Sequence, residues 1–139
     1  MAASPGIDTN TGEPYVDMDG DVHANGTSIF MEGALLRLGA PTISTIASGV
    51  LTVTGGFTAA AAESSTTDTV DSITLSGFTA RNGDVILIVA DTGDTITFDD
   101  ANIDLGAATR AVGPGGHLSL RYDGTSWCEL TFLAGADNA

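Results

Sequence analysis

The 139-residue sequence predicts an all-β protein: an antiparallel β-sandwich or barrel-like module preceded by an extended N-terminal arm. Three observations lead there. Gly, Thr, Ser, Asp and Val dominate while Glu, Lys and Gln are scarce, a balance that suits strands and turns better than helices. Short runs of apolar and polar alternation recur roughly every 8 to 12 residues, most of them closed by a glycine-bearing turn. One run, Val85-Ile86-Leu87-Ile88-Val89, is continuously apolar and mostly β-branched, as expected of a central strand covered on both faces.

Residues 1–14 hold small and polar side chains with no apolar period, so alone they have no means of burying a core. Tyr15–Met18 and Asp21–Ala24 read as a hairpin, because the intervening Asp19-Gly20 supplies the positive φ values of a type I′ turn. Thr27–Met31 and Leu35–Leu38 are strand-like, and Val50–Thr54 is the best strand before the Gly55-Gly56 pair. Residues 59–71 carry alanines and then Ser-Ser-Thr-Thr-Asp-Thr, whose hydroxyls compete for backbone hydrogen bonds. This reads as a loop and as the boundary of the module. The parse is thus an arm with a short hairpin over 1–30, an oligomerisation appendage and linker over 31–71, the β module over 72–133, and a flexible tail over 134–139.

Within the module, Ile73 and Leu75 share a face, and Asn82-Gly83 turns the chain into the Val85–Val89 strand. Asp91–Asp94 turns it back into a strand with Ile96 and Phe98 inward. Leu118 and Leu120 alternate with polar residues before Asp123-Gly124, after which Trp127 and Leu130 return. The expected module core is Val85, Leu87, Val89, Ile96, Phe98, Leu118, Leu120, Trp127 and Leu130. The sequence has no exact internal repeat, which argues against a solenoid or propeller.

The net charge of −14 arises from 18 acidic residues against four arginines, with no lysine. Such a surface repels nucleic-acid phosphates and anionic membranes. The one cysteine, Cys128, excludes an intrachain disulfide and reads as an inert thiol in an apolar alternation. The start of the chain lacks the basic and apolar regions of a secretion signal, so a soluble product made in the cytoplasm is expected.

No constellation carries chemistry. Asp17, Asp19 and Asp21 alternate, but an EF-hand loop starting there needs glycine and glutamate where Val22 and Ser28 stand. His23 and His117 have no second ligand at zinc spacing, and no serine lies in a nucleophile elbow. The expectation is a non-enzyme without cofactor or metal. Gly113-Pro114-Gly115-Gly116 is a loop, with no lysine after it to hold phosphate. The dispersed arginines are expected to pair with carboxylates. Tyr122 and Trp127 flank the last turn, where they either close one end of the core or offer aromatic faces to a sugar.

The closing run Tyr122-Asp123-Gly124-Thr125-Ser126-Trp127, with Ile73-Thr74-Leu75, Asn82–Leu87, Ile96-Thr97-Phe98 and Leu118–Arg121 before it, resembles a β module that recurs in virion proteins of tailed bacteriophages. The likeness covers a little under half of the chain. It implies a module of jelly-roll or β-tulip type and a virion structural protein, most like a trimeric capsid decoration (cement) protein on the outer capsid surface. Implied partners are the major capsid protein and two further copies of the chain, with no nucleic acid and no membrane. The arm would touch the capsid through Ile7, Pro14, Tyr15, Val16 and Met18. Ile29, Phe30, Leu35, Leu36, Leu38, Ile43 and Ile46 would make subunit contacts. The alternative that the resemblance leaves open is a trimeric tail-fibre, head-fibre or spike module that binds a host receptor or glycan. The absence of heptads and collagen-like repeats favours the first.

Overall fold

The computed structural model describes Tyr15–Val16, Val22–His23, residues 38–99 and residues 102–136. The chain divides into two units, Met1–Arg37 and Leu38–Ala139. In the first, strands β1 (Tyr15–Val16) and β2 (Val22–His23) pair antiparallel as expected, but with Tyr15 opposite His23, one residue off the register of a two-residue Asp19-Gly20 turn, which would set Tyr15 opposite Ala24. The turn between them lies outside the described residues, as do Ile7, Pro14, Met18, Ile29, Phe30, Leu35 and Leu36.

The second unit is all-β, with no helix among the described residues, and its sheets cover one shared apolar core. The strands are β3 (Thr42–Thr45), β4 (Val50–Val53), β5 (Phe57–Ala61), β6 (Thr67–Val70), β7 (Ser72–Leu75), β8 (Val85–Ala90), β9 (Thr95–Asp99), β10 (Ile103–Asp104), β11 (Thr109–Val112), β12 (His117–Tyr122) and β13 (Trp127–Leu133). They form a six-stranded sheet in the order β10-β13-β12-β8-β5-β3, a three-stranded sheet β11-β9-β6 and a pair β4-β7. The sheets are mixed. β3, β5 and β8 run parallel, as do β4 with β7, β6 with β9, and β10 with β13.

This pairing arises because the early turns redirect the chain to another sheet instead of folding it back on the same one. From β5 the chain passes to β6 in the three-stranded sheet, then to β7, and returns to β8 beside β5. The chain therefore winds, and strands one circuit apart stack in parallel without a repeated sequence. β11 and β12 then reverse direction, pairing antiparallel with β9 and β8. The expected linker at 59–71 is overturned by this circuit, since it contains most of β5 and all of β6. Ala59, Ala60 and Ala61 are strand residues, and Ala59 and Ala60 lie buried between the flanking strands β3 and β8, where small side chains fit.

The corners stack as well. Asp71, the single residue between β6 and β7, donates its N–H to the Gly49 carbonyl at 2.8 Å, and the N–H of Ser72 reaches the same oxygen at 3.2 Å. Gly49 has a φ of 80°, and a Cβ there would collide with the Asp71 carboxylate. Gly49→Ala is therefore expected to lower the folding free energy by at least about 1–2 kcal/mol, measured by denaturant titration. The circuit closes on a side chain. Asn102 accepts the Ile73 N–H on Oδ1 at 3.2 Å and donates Nδ2 to the Ile73 carbonyl at 3.3 Å, occupying the place of a strand beside β7.

The core follows strand parity. Ile96 and Phe98, Leu118 and Leu120, and Trp127 are buried as expected, together with Leu51, Val53, Val70, Ile73, Ile103 and Val112. On β8 the inward residues are Ile86 and Ile88. Val85 is 52% exposed and Leu87 and Val89 are half-buried, so this strand is covered on one face and not on both. Leu130, 49% exposed, is also not in the core. The register of β12 with β13 shifts after Ser119, pairing it with Thr131 and Leu120 with Glu129, which leaves Leu130 as the extra residue of a bulge. The tail is tied at its start, where the Gly113 N–H reaches the Ala134 carbonyl and the Ala136 N–H reaches that of Pro114, both at 2.7 Å.

Candidate functional site

Parity also decides what the six-stranded sheet shows on its outer face. Register aligns Ile43, Ala59 and Val89 in one row across β3, β5 and β8. Phe57, Leu87 and Ser119 form the next row, and Val85 with Arg121 a third. On β13, Thr131 and Leu133 continue the face: the Ser119 and Thr131 hydroxyls meet at 2.7 Å, and Thr131 Oγ1 lies 3.2 Å from His117 Nε2. In a chain with 18 acidic residues, no outward position of β3, β5, β8, β12 or β13 carries a carboxylate. The first outward acid is Asp104 on the edge strand β10, opposite Cys128.

The face is apolar where a solvated antiparallel sheet would be polar. Ile43 is 62% exposed and Leu133 53%, alongside Val85. These three stand on different strands, β3, β13 and β8, and exposed aliphatic groups spread over one sheet face suit a contact surface. Of the expected subunit contacts, Leu38 and Ile43 are on the surface. Ile46 is not. It is fully buried within its own chain, just past β3, with its N–H held by the Ala61 carbonyl at 2.9 Å.

A second feature lies where the loop after β7 meets the last hairpin. An open cleft of about 300 Å³ is lined by Phe78, Thr79, Asn102, Tyr122, Thr125 and Trp127, with Ile73, Leu75 and Ala80. Phe78 is 41% exposed, whereas Trp127 is buried, its ring 5.1 Å from that of Tyr122 and tilted by 54°. The hairpin that carries them is pinned. Tyr122 donates its N–H to the Asp84 carbonyl at 2.9 Å and accepts the Gly83 N–H at 2.8 Å. Asp123 Oδ1 accepts the N–H groups of Thr125 and Ser126, both at 2.8 Å. The bonds from Ser126 and Thr125 hold the Asp123 carboxyl below the usual carboxylate range.

Arg110 fulfils the expected pairing. Its Nε and Nη2 donate to Glu129 at 2.8 and 2.9 Å, its guanidinium lies 4.7 Å from the Phe132 ring centre, and the Gly106 N–H also reaches Glu129 at 3.0 Å. Arg110 foremost, with Gly106, lowers the Glu129 pKa. A carboxyl whose folded pKa is depressed adds stability that is complete above its unfolded value and is lost as pH falls through the folded one. Glu129→Gln is therefore expected to destabilise the protein above about pH 5 and to narrow its gap from the parent at lower pH, read from melting curves across pH.

Cys128 is a partly buried free thiol, 3.5 Å from Asp123 Oδ2. Desolvation and the neighbouring carboxylate raise its pKa, which disfavours the reactive thiolate. Among the described residues no three His, Cys, Asp or Glu side chains converge as metal ligands. The acidic turn at Asp91–Asp94 has a structural use, since Asp94 Oδ2 accepts the Ala62 N–H at 2.9 Å. Sequence reasoning missed Phe78 and Asn102, both in turns. The available signal was an aromatic placed directly after Gly77, outside any strand alternation.

No protein-family model and no curated protein sequence matches the chain.

Proposed function

We propose that this chain is a structural protein of a tailed-bacteriophage virion, a capsid decoration protein that associates as a homotrimer and binds the major capsid protein on the outer surface of the shell. The observation that carries the reading is the outer face of β3, β5, β8, β12 and β13 in the six-stranded sheet, largely apolar and without an outward carboxylate in a chain of charge −14. Copies of so acidic a protein repel one another over most orientations. They can approach closely where the surface carries no negative charge, and burial of Ile43, Phe57, Val85 and Leu133 would reward that approach. The threefold stoichiometry and the capsid partner rest on the resemblance of the Tyr122–Trp127 run and the strands before it. The action would be mechanical: interface buried across capsomer junctions holds the shell against internal pressure.

The test is to add the purified full chain to capsids that lack it and to image the particles by cryo-electron microscopy. The proposal expects density on the outer shell at local threefold positions and greater resistance of the shell to heat. Particles that stay bare, or density confined to the tail, would reject it.

A further inference from the structure

We propose that the cleft between Phe78 and the last hairpin is a binding site for a neutral saccharide, a function separate from assembly through the sheet. A cleft of about 300 Å³ is at the small end of ligand pockets and admits a single ring. Its walls are of two kinds. Phe78 and Tyr122 supply apolar faces, and Thr79 and Thr125, both exposed, bring hydroxyls to the same space. A pyranose has the matching division, with C–H groups on its ring faces and hydroxyls around its edge.

Charge narrows the class. Among the described residues no arginine or histidine lines the cleft, so none of them offsets desolvation of a carboxylate, sulfate or phosphate, and the charge of −14 opposes their approach. Among the described residues no carboxylate lines it either, so a cationic ligand finds no partner among them. An uncharged polyol remains. The cleft is also prepared for a ligand: Asp123 fixes the turn that presents Thr125, and Asn102, anchored on both backbone groups of Ile73, keeps amide hydrogen-bonding capacity for a further partner. Little conformational entropy is then lost on binding. Neither the ladders of the sheets nor the acid-free outer face uses Phe78, which stands in a loop with its ring partly exposed.

The chain has one tryptophan, and it lines this cleft, so its emission reports the site alone. The full chain is titrated with glucose, galactose, mannose and N-acetylglucosamine, and with N-acetylneuraminate as the anionic control. The expected result is a saturable change in Trp127 emission with at least one neutral sugar, at a Kd of about 1–10 mM, and none with the control. Phe78→Ala should weaken that sugar at least about 10-fold, and Thr125→Val, which keeps shape and the turn's backbone bonds, about 3- to 10-fold. Circular dichroism and the melting midpoint should stay at parental values in both variants. No saturable response to any neutral sugar, equal binding of the anion, or unchanged affinity in both folded variants would overturn the proposal.

Discussion

In the proposed trimer, Ile43→Asp is expected to release monomers while leaving each copy folded. Ile43 projects from the edge strand β3 into the same row as Ala59 and Val89, and it is already mostly solvent-exposed within its own chain. A carboxylate there meets water in the monomer and costs the fold little. In an interface built on this face, the same group is desolvated without a basic partner in its row, once in every copy. The loss should be roughly 100-fold or more in association constant. Analytical ultracentrifugation over a dilution series reads it directly. Val85→Asp is a weaker test, because Arg121 stands opposite in register and could take the new charge. An assembly that survives Ile43→Asp at parental affinity would place the interface elsewhere.

Phe98→Ala is the second large effect, and it falls on stability. Phe98 is fully buried on β9, in register with Val70 of β6 and Arg110 of β11, so its ring fills space at the centre of the three-stranded sheet's inner side. Removing a buried aromatic ring leaves a cavity that the surrounding strands close only in part, at a cost of about 3–5 kcal/mol. A domain of this size is stable by about 5–15 kcal/mol, so the variant should lose between a fifth and nearly all of its margin. Phe98→Leu, which retains most of the volume, should lose about 1–1.5 kcal/mol. Guanidinium unfolding followed by Trp127 emission gives both values. Equal midpoints for the two variants would mean that the ring is not tightly packed.

Much of the fold is legible in the residues. Alternation places Ile96, Phe98, Leu118 and Leu120 inward, and Asp19-Gly20 foretells the antiparallel pairing of β1 with β2 but not its register, which is one residue off that of a two-residue turn. Two features escaped for physical reasons. A continuous apolar run such as Val85–Val89 does not say which parity faces the core, because the outer face is apolar too, so Val85 was assigned inward when Ile86 is. Parallel winding was hidden because its corners are short and its circuits differ in length. Nothing in Ala59-Ala60-Ala61 signals a strand, since their burial depends on the neighbours β3 and β8.

The two surface features were legible to different degrees. The outer face follows from parity once the register is known, and Ile43 already stood out as an apolar residue among Ser and Thr. The cleft required tertiary structure, since Phe78, Asn102 and Thr125 come from three separated turns. The last hairpin contributes to both features: Tyr122 and Trp127 face the cleft and Arg121 faces outward beside Val85.

Self-association through the outer sheet face is the claim on which the proposed function depends, and the native mass of the full chain at micromolar concentration tests it most directly. A mass of three chains of 14.0 kDa, falling to one chain in Ile43→Asp, is the predicted result. A single-chain mass for the unaltered protein under the same conditions would contradict it.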